Sequence, residues 1–401
     1  MSVQLVEDPP IPPSRQFVRT PVVWIYYALV GLGCYIMSAL GPVMPFLRSE
    51  LSMNYRLVGL HFSAFAMGSV LAGTVGDKIV HKLGRVQSLW FSVGGTICGL
   101  SSFICATHPT FTILGVLACG FCGSMTYQTL ATVISEQFGE NRTLAFMEAE
   151  VVAMLVAGAA PFAVSASVSA KFGWRAAFVA LIVFYIATVP LLKKFAPAKE
   201  TTLKIENVAG KLPLSYWSYV LVIFLSVAAE WSTAFWSADY LTYRLAISKA
   251  AAAAAVGAFF IGMVCGRFSG SRLVRWCRAA RLLAISGFIS VIGFSLFWLG
   301  TTSILNITGL FLTGLGIANM YPLSFAAAVA AAEDQSSKAI ARVSLACGGA
   351  LLVMPIGLSF IADRAGLFNA YYVVAFDLLI CLGTIFWAGA ISRRQKIAQD
   401  E

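Results

Sequence analysis

The sequence predicts an all-α membrane protein: twelve transmembrane helices in two six-helix bundles related by pseudo-two-fold symmetry. Three observations lead there. Of 401 residues, 59% are hydrophobic and only 11% charged, more apolar side chain than the surface of a water-soluble protein tolerates. Apolar runs near the roughly 20 residues that a helix needs to cross a bilayer recur twelve times along the chain. The first half also aligns with the second, without a gap, at a constant offset of 194 positions.

Taken in order, the chain opens with a polar tail, 1–21, holding Glu7, Asp8 and a cluster of prolines before Arg15. It lacks the basic start and short apolar core of a signal peptide and reads as a disordered cytoplasmic tail. Apolar runs at 22–46, 57–76, 88–106, 111–134, 143–170 and 175–192 then build a first bundle, 22–192. The next segment, 193–214, is the longest polar stretch after the tail and reads as a cytoplasmic linker. Runs at 216–240, 250–269, 282–300, 304–332, 339–362 and 370–391 build a second bundle, 215–391, before a cytoplasmic C-terminal tail, 392–401. With both ends inside, three quarters of the 28 Lys and Arg residues fall on the inner face. The bias points to a multi-pass protein of the bacterial inner (plasma) membrane with both termini cytoplasmic.

The net charge of +10 is spread in short clusters between apolar spans, so anionic lipid headgroups, not nucleic acid, are the expected counter-charge. The nine cysteines are scattered, mostly within spans, and read as small apolar side chains. Cys119 and Cys122 form a CxxC inside an unbroken apolar helix, a poor setting for a redox pair or a metal. No Ser/His/Asp set, phosphate-binding loop or metal cluster stands on a solvent-facing element, which argues against an enzyme and implies no cofactor.

The internal repeat shares its punctuation. Gly99 faces Gly293, Ser101 faces Ser295, Phe103 faces Phe297, Gly120 faces Gly314, Tyr127 faces Tyr321 and Pro161 faces Pro355. Gly262, Gly266 and Gly270 recur every fourth residue, as Gly68, Ala72 and Gly76 do, a spacing that lets membrane helices approach closely. Because each half has an even number of spans, the repeats are parallel. Transporters built this way hold their solute between the halves near the midplane and expose it to each side in turn.

The segment joining spans 2 and 3 carries Gly73, Gly76, Asp77, Lys78, Gly84 and Arg85, and its counterpart keeps Gly270, Arg272 and Arg275. GWRAAF at 173–178 opens the sixth span, and AEWSTAFWSADYL at 229–241 in the seventh is followed by Gly266 and Arg267. With these features the chain resembles the major facilitator superfamily along nearly its whole length, most of all its fucose permease-like branch. The resemblance implies the twelve-helix fold of that superfamily and a solute/proton symporter, with helices 1, 4, 7 and 10 lining the cavity. It also implies an inner gate at Asp77, Lys78, Arg85, Arg272 and Arg275. The match departs at one position: the acid that usually stands four residues before the final Arg is His81 here, with Asp77 one turn earlier.

A carboxylate within the bilayer costs about 2.5–3.5 kcal/mol on insertion scales, so each needs a reason. Glu230 is the most interior. Ser226, Glu230, Thr233 and Ser237 follow at i, i+4, i+7 and i+11 as a polar stripe that should face the cavity. Removal from water favours the protonated form of a carboxyl, as coupling by proton binding and release requires. The alternative is a glutamate that fastens two helices. Its repeat counterpart is Ile36, so the architecture itself does not need the acid. Glu150 is the second candidate for proton coupling, whereas Glu148 reads as structural. Asp239, near the outer end of the seventh span, is placed to gate with Arg48 or Arg244. Asp377 is expected on a lipid-facing helix, and His61 reads as packing.

Tyr127 with Thr126 and Gln128, Tyr321 with Asn319, and Trp231 offer aromatic faces with amide and hydroxyl groups, a set suited to a sugar. The same residues could instead simply pack. Arg267 is expected either to snorkel to the inner surface or to join the inner gate.

The leading expectation is a proton-coupled symporter of a small hydrophilic, sugar-like solute, working by alternating access as a monomer and driven by an ion gradient. Two alternatives stand beside it. One is proton-antiport export of drugs or amphipathic metabolites, against which GAAPFAVS at 158–165 keeps only part of the exporters' glycine-rich signature. The other is a sensor or scaffold.

Overall fold

The computed structural model describes residues 20–138, 141–192, 212–332 and 335–400, so the expected linker and the N-terminal tail lie almost wholly outside the described residues. The described residues form α1 (Pro21–Glu50), α2 (Tyr55–Leu83), α3 (Arg85–Cys105), α4 (Pro109–Phe138), α5 (Arg142–Ser169) and α6 (Ala176–Leu192). After residue 213 come α7 (Leu214–Leu245), α8 (Lys249–Leu273), α9 (Ala279–Leu299), α10 (Ser303–Ala331) and α11 (Ser336–Asp400). No strand occurs among them. Gly366, at φ 81° and ψ 162°, breaks α11 into two segments, 336–365 and 367–400, so the described residues hold twelve helical segments. Helix continues through Asp400, into the positions read as a C-terminal tail.

Local chemistry sets the helix ends. The Asn54 side chain accepts from the Leu57 amide to cap α2, Ser248 from Ala251 to cap α8, and Thr302 from Leu305 to cap α10. Gly84, at φ 80°, ends α2 and opens α3 in a turn that a side chain would strain. Helices this long and apolar are the structures that satisfy every backbone polar group in a bilayer. Since α6 ends and α7 begins at the same side of the bundle, that side is called the linker side and the other the far side.

The two halves pack alike. In the first, α1 packs on α5, α2 on α4 and α3 on α4; in the second, α7 packs on α11, α8 on α10 and α9 on α10. Equivalent glycines make the equivalent contacts. A Cβ on Gly120 would collide with the Phe65 carbonyl, and one on Gly314 with the carbonyl of Phe259, the residue 194 positions after Phe65. Gly115 lies against the Gly99 carbonyl as Gly309 lies against the Gly293 carbonyl. Substituting Gly314→Val is therefore expected to push α8 from α10 and destabilise the fold by about 1–3 kcal/mol or more, since the obstacle is backbone. Thermal unfolding in detergent checks it, and an unchanged Tm would deny the close approach.

Four pairs join the halves among the described residues: α1 with α7, α1 with α8, α2 with the first segment of α11, and α5 with α8. Between them lies an internal space that both halves wall.

Candidate functional site: a cavity between the two halves

A cavity of about 210 Å³ sits at mid-height of the bundle. Cys34, Met37 and Ser38 of α1 and Glu150, Ala153, Met154 and Ala157 of α5 line it from the first half. Glu230 and Trp231 of α7 and Phe260, Met263 and Arg267 of α8 line it from the second. Helical spacing aligns these groups: Cys34 and Ser38, Glu150 and Met154, and Met263 and Arg267 are each four residues apart on one face.

The cavity thus combines two carboxyls, one guanidinium and a largely apolar wall. Glu150 accepts a hydrogen bond from the Tyr127 hydroxyl at 2.9 Å. Arg267 donates from Nη1 to the Met154 sulfur at 3.3 Å, while its Nε is buried without a partner among the described residues. Neither acid forms an ion pair with it. Ser38 is 2% exposed, and its Oγ also lacks a partner. Tyr127 is 40% exposed even though its hydroxyl reaches Glu150. Tyr321, at the equivalent place on α10, lies within electrostatic reach of Glu150, Glu230 and Arg267.

The far side is closed. There Arg48 Nη2 meets Asp239 Oδ1 at 2.8 Å, and Asp363 of α11 holds both the Tyr55 amide, at 2.7 Å, and Arg56 Nε, at 3.1 Å. The Ser63 hydroxyl donates to the Leu352 carbonyl at 2.8 Å. Phe62 stacks on Phe235 with centroids 4.2 Å apart and meets the edge of Trp236. Gly41 lets α1 lie directly against the α7 backbone at Ala234 and Phe235. Every one of these contacts joins one half to the other.

Several residues expected at the cavity lie elsewhere. Thr126 turns to α3, donating to Ser92 at 2.8 Å, because one residue along a helix is a rotation of about 100° from Tyr127. Gln128 packs against Gly76 of α2. Asn319 fastens α10 to α8 through the Gly266 carbonyl, at 3.0 Å, and fills the space beside Gly270. Of the polar stripe on α7, only Glu230 lines the cavity. Ser226 and Ser237 donate to carbonyls of their own helix, and Thr233 is fully buried. Arg267, expected at the inner surface, instead faces the cavity. Asp377 is buried, not lipid-exposed, and His61 bonds Thr112 and the Leu57 carbonyl. Asp77 and Lys78 are exposed at the linker end of α2, Arg275 is exposed beyond α8, and Arg272 stacks on Phe268 of its own helix. Asp239 pairs with Arg48, the first of its two expected partners.

This architecture is that of known transporters, and the sequence agrees: the profile of the Major Facilitator Superfamily matches residues 23–332. The chain belongs to this superfamily. An uncharacterised MFS-type transporter of Yersinia pestis is 24% identical over 385 residues, 94% of this chain and 97% of that protein. A glucose/galactose transporter of Brucella abortus is 24% identical over 390 residues, covering 88% and 89% of the two chains. Among solved structures, a bacterial homologue of the human lysosomal transporter Spinster, inward-facing and occupied, superposes with a TM-score of 0.74 at 12% identity. It covers 93% of this chain and 98% of its own. The nucleoside transporter NupG superposes with a TM-score of 0.67 at 14% identity, over 92% and 99%. At such identities the structural likeness concerns the fold alone.

This superfamily member is therefore an integral multi-pass membrane transporter of a small-molecule solute, not an enzyme. Its cavity residues invite a first test. Tyr127→Phe removes one charge-assisted hydrogen bond, worth about 1.5–3 kcal/mol, from Glu150. Half-saturation for transport is expected to rise about tenfold with little loss of protein in the membrane. An unchanged value would mean that the bond does not serve the site.

Proposed function

We propose that the protein is a proton-coupled symporter of a small hydrophilic, sugar-like solute, working by alternating access around this cavity. The observation that carries the reading is the pair of carboxyls, Glu230 and Glu150, placed on opposite halves of one mid-height cavity. Groups that bind and release protons where the halves meet tie protonation to the movement between them. The relative named a glucose/galactose transporter, together with Trp231 in the lining and Tyr127 bonded to Glu150, supports a sugar-like solute.

In this reading the protein is a monomer in the bacterial inner membrane with its linker side cytoplasmic, as the basic residues favour. The conformation described above is then open inward. Arg48 and Asp239 act as the outer gate, and Asp77, Lys78, Arg85, Arg272 and Arg275 serve the inner one. Coupling energy comes from the proton gradient, with no cofactor.

One observation favours a second reading. Met37, Met154, Met263, Trp231 and Phe260 give the cavity an adaptable apolar wall, which would also suit export of amphipathic compounds. The deciding experiment follows lumenal pH in sealed proteoliposomes while sugars, polyols, sugar acids and amphipathic amines are added outside. Lumenal acidification on adding a hydrophilic solute supports symport. Alkalinisation of acid-loaded vesicles by an amphipathic compound replaces that reading with export.

A further inference from the structure

The cavity holds a guanidinium with unused hydrogen-bonding capacity. Arg267 carries five N–H donors in a planar, positively charged fork. Its Nη1 meets only the Met154 sulfur, a weak acceptor, and its Nε is buried without a partner among the described residues. The buried Ser38 hydroxyl of the same lining is unpartnered too. Donors that meet no strong acceptor in a part-buried lining leave hydrogen bonds unmade, so the site can take acceptor oxygens brought from outside.

The titratable groups in and around the cavity come from six helices besides α8: Cys34 of α1, Tyr127 of α4, Glu150 of α5, Glu230 of α7, Tyr321 of α10 and Cys347 of α11. Of these, the two glutamates are the groups whose ionised form opposes the arginine. With both ionised the set carries one net negative charge. With both protonated it carries one positive charge, that of Arg267.

We propose that the transported solute carries a carboxylate, which the Arg267 fork binds at two points, and that protons enter with it because they silence the competing acids. The inference rests on the symport reading and narrows its substrate class to an acidic sugar or a small hydroxy acid. Ser38 and Tyr127 are placed to meet hydroxyls, and the Trp231 ring to cover an apolar face.

The test is equilibrium binding to the full chain in detergent, followed by tryptophan fluorescence, with matched pairs: galacturonate against galactose, and lactate against propane-1,2-diol. In at least one pair the acid is expected to bind about thirtyfold tighter or more at acidic pH, with the preference shrinking as pH rises. Arg267→Gln should remove the preference, and Arg267→Lys, which keeps the charge without the fork, should retain part of it. Equal binding of acid and neutral partner overturns the inference while leaving symport of a neutral sugar standing. A preference that survives in Arg267→Gln also overturns it. Binding of none of the four compounds overturns both the inference and the sugar-like reading. The comparison within each pair on the unaltered protein decides the matter even if a variant misfolds.

Discussion

Glu230→Gln is expected to lower gradient-driven solute accumulation about tenfold or more while leaving solute-for-solute exchange intact. The substitution keeps the shape of the side chain and removes the proton it can carry. Glu230 lines the cavity from α7, and its repeat counterpart is Ile36, so folding of the repeat does not depend on an acid there. Exchange needs only that the loaded carrier turn over. Accumulation against a gradient needs the proton as well. Uptake into proteoliposomes with and without an imposed pH gradient separates the two, and equal loss of both would assign Glu230 to folding or to solute contact instead.

Arg48→Asp is expected to be nearly as damaging, for a different reason. The Arg48 guanidinium meets an almost fully buried Asp239 at 2.8 Å and stacks on Tyr55, whose ring lies against Trp236. Removing one partner leaves the other charge buried and alone, at a cost of about 3–5 kcal/mol to the closed far side. Placing a second carboxylate there adds repulsion. Transport should fall at least tenfold, and a cysteine introduced by Phe62→Cys should become reactive from the far side. The exchanged pair, Arg48→Asp with Asp239→Arg, should recover part of both properties. Failure of the exchange to recover anything would assign the loss to packing around Tyr55 and Trp236.

The fold was legible because membrane helices announce themselves in composition and because the repeat keeps several glycines and a proline at equivalent positions. Gly120 and Gly314 could be paired from sequence, and they make the same backbone contact in each half. The site was only partly legible. Glu230 and Glu150 stood out because acids are scarce in apolar spans. Arg267 carried the same signal, since its repeat counterpart is Gly73, but the length of an arginine lets it reach either water or a cavity from one Cα position. Thr126, Gln128 and Asn319 were drawn in by adjacency to Tyr127 and Tyr321, although neighbours in a helix point to different partners. Ser226, Thr233 and Ser237 share a face with Glu230, yet hydroxyls in an apolar helix can satisfy themselves on their own backbone, as Ser226 and Ser237 do. The far-side closure depends on pairs such as Tyr55 with Asp363, separated by 308 positions, which no local pattern reveals.

The central claim is that solute and protons share one cavity, open on the linker side and opened to the far side in turn. Cys34 lines that cavity and reports on it directly. In a variant whose other cysteines are replaced, a membrane-impermeant maleimide should label Cys34 readily from the linker side and slowly from the far side. Adding transported solute with an inward proton gradient should raise far-side labelling. Labelling that is equal from both sides, or a far-side rate that never responds to solute, would contradict the account.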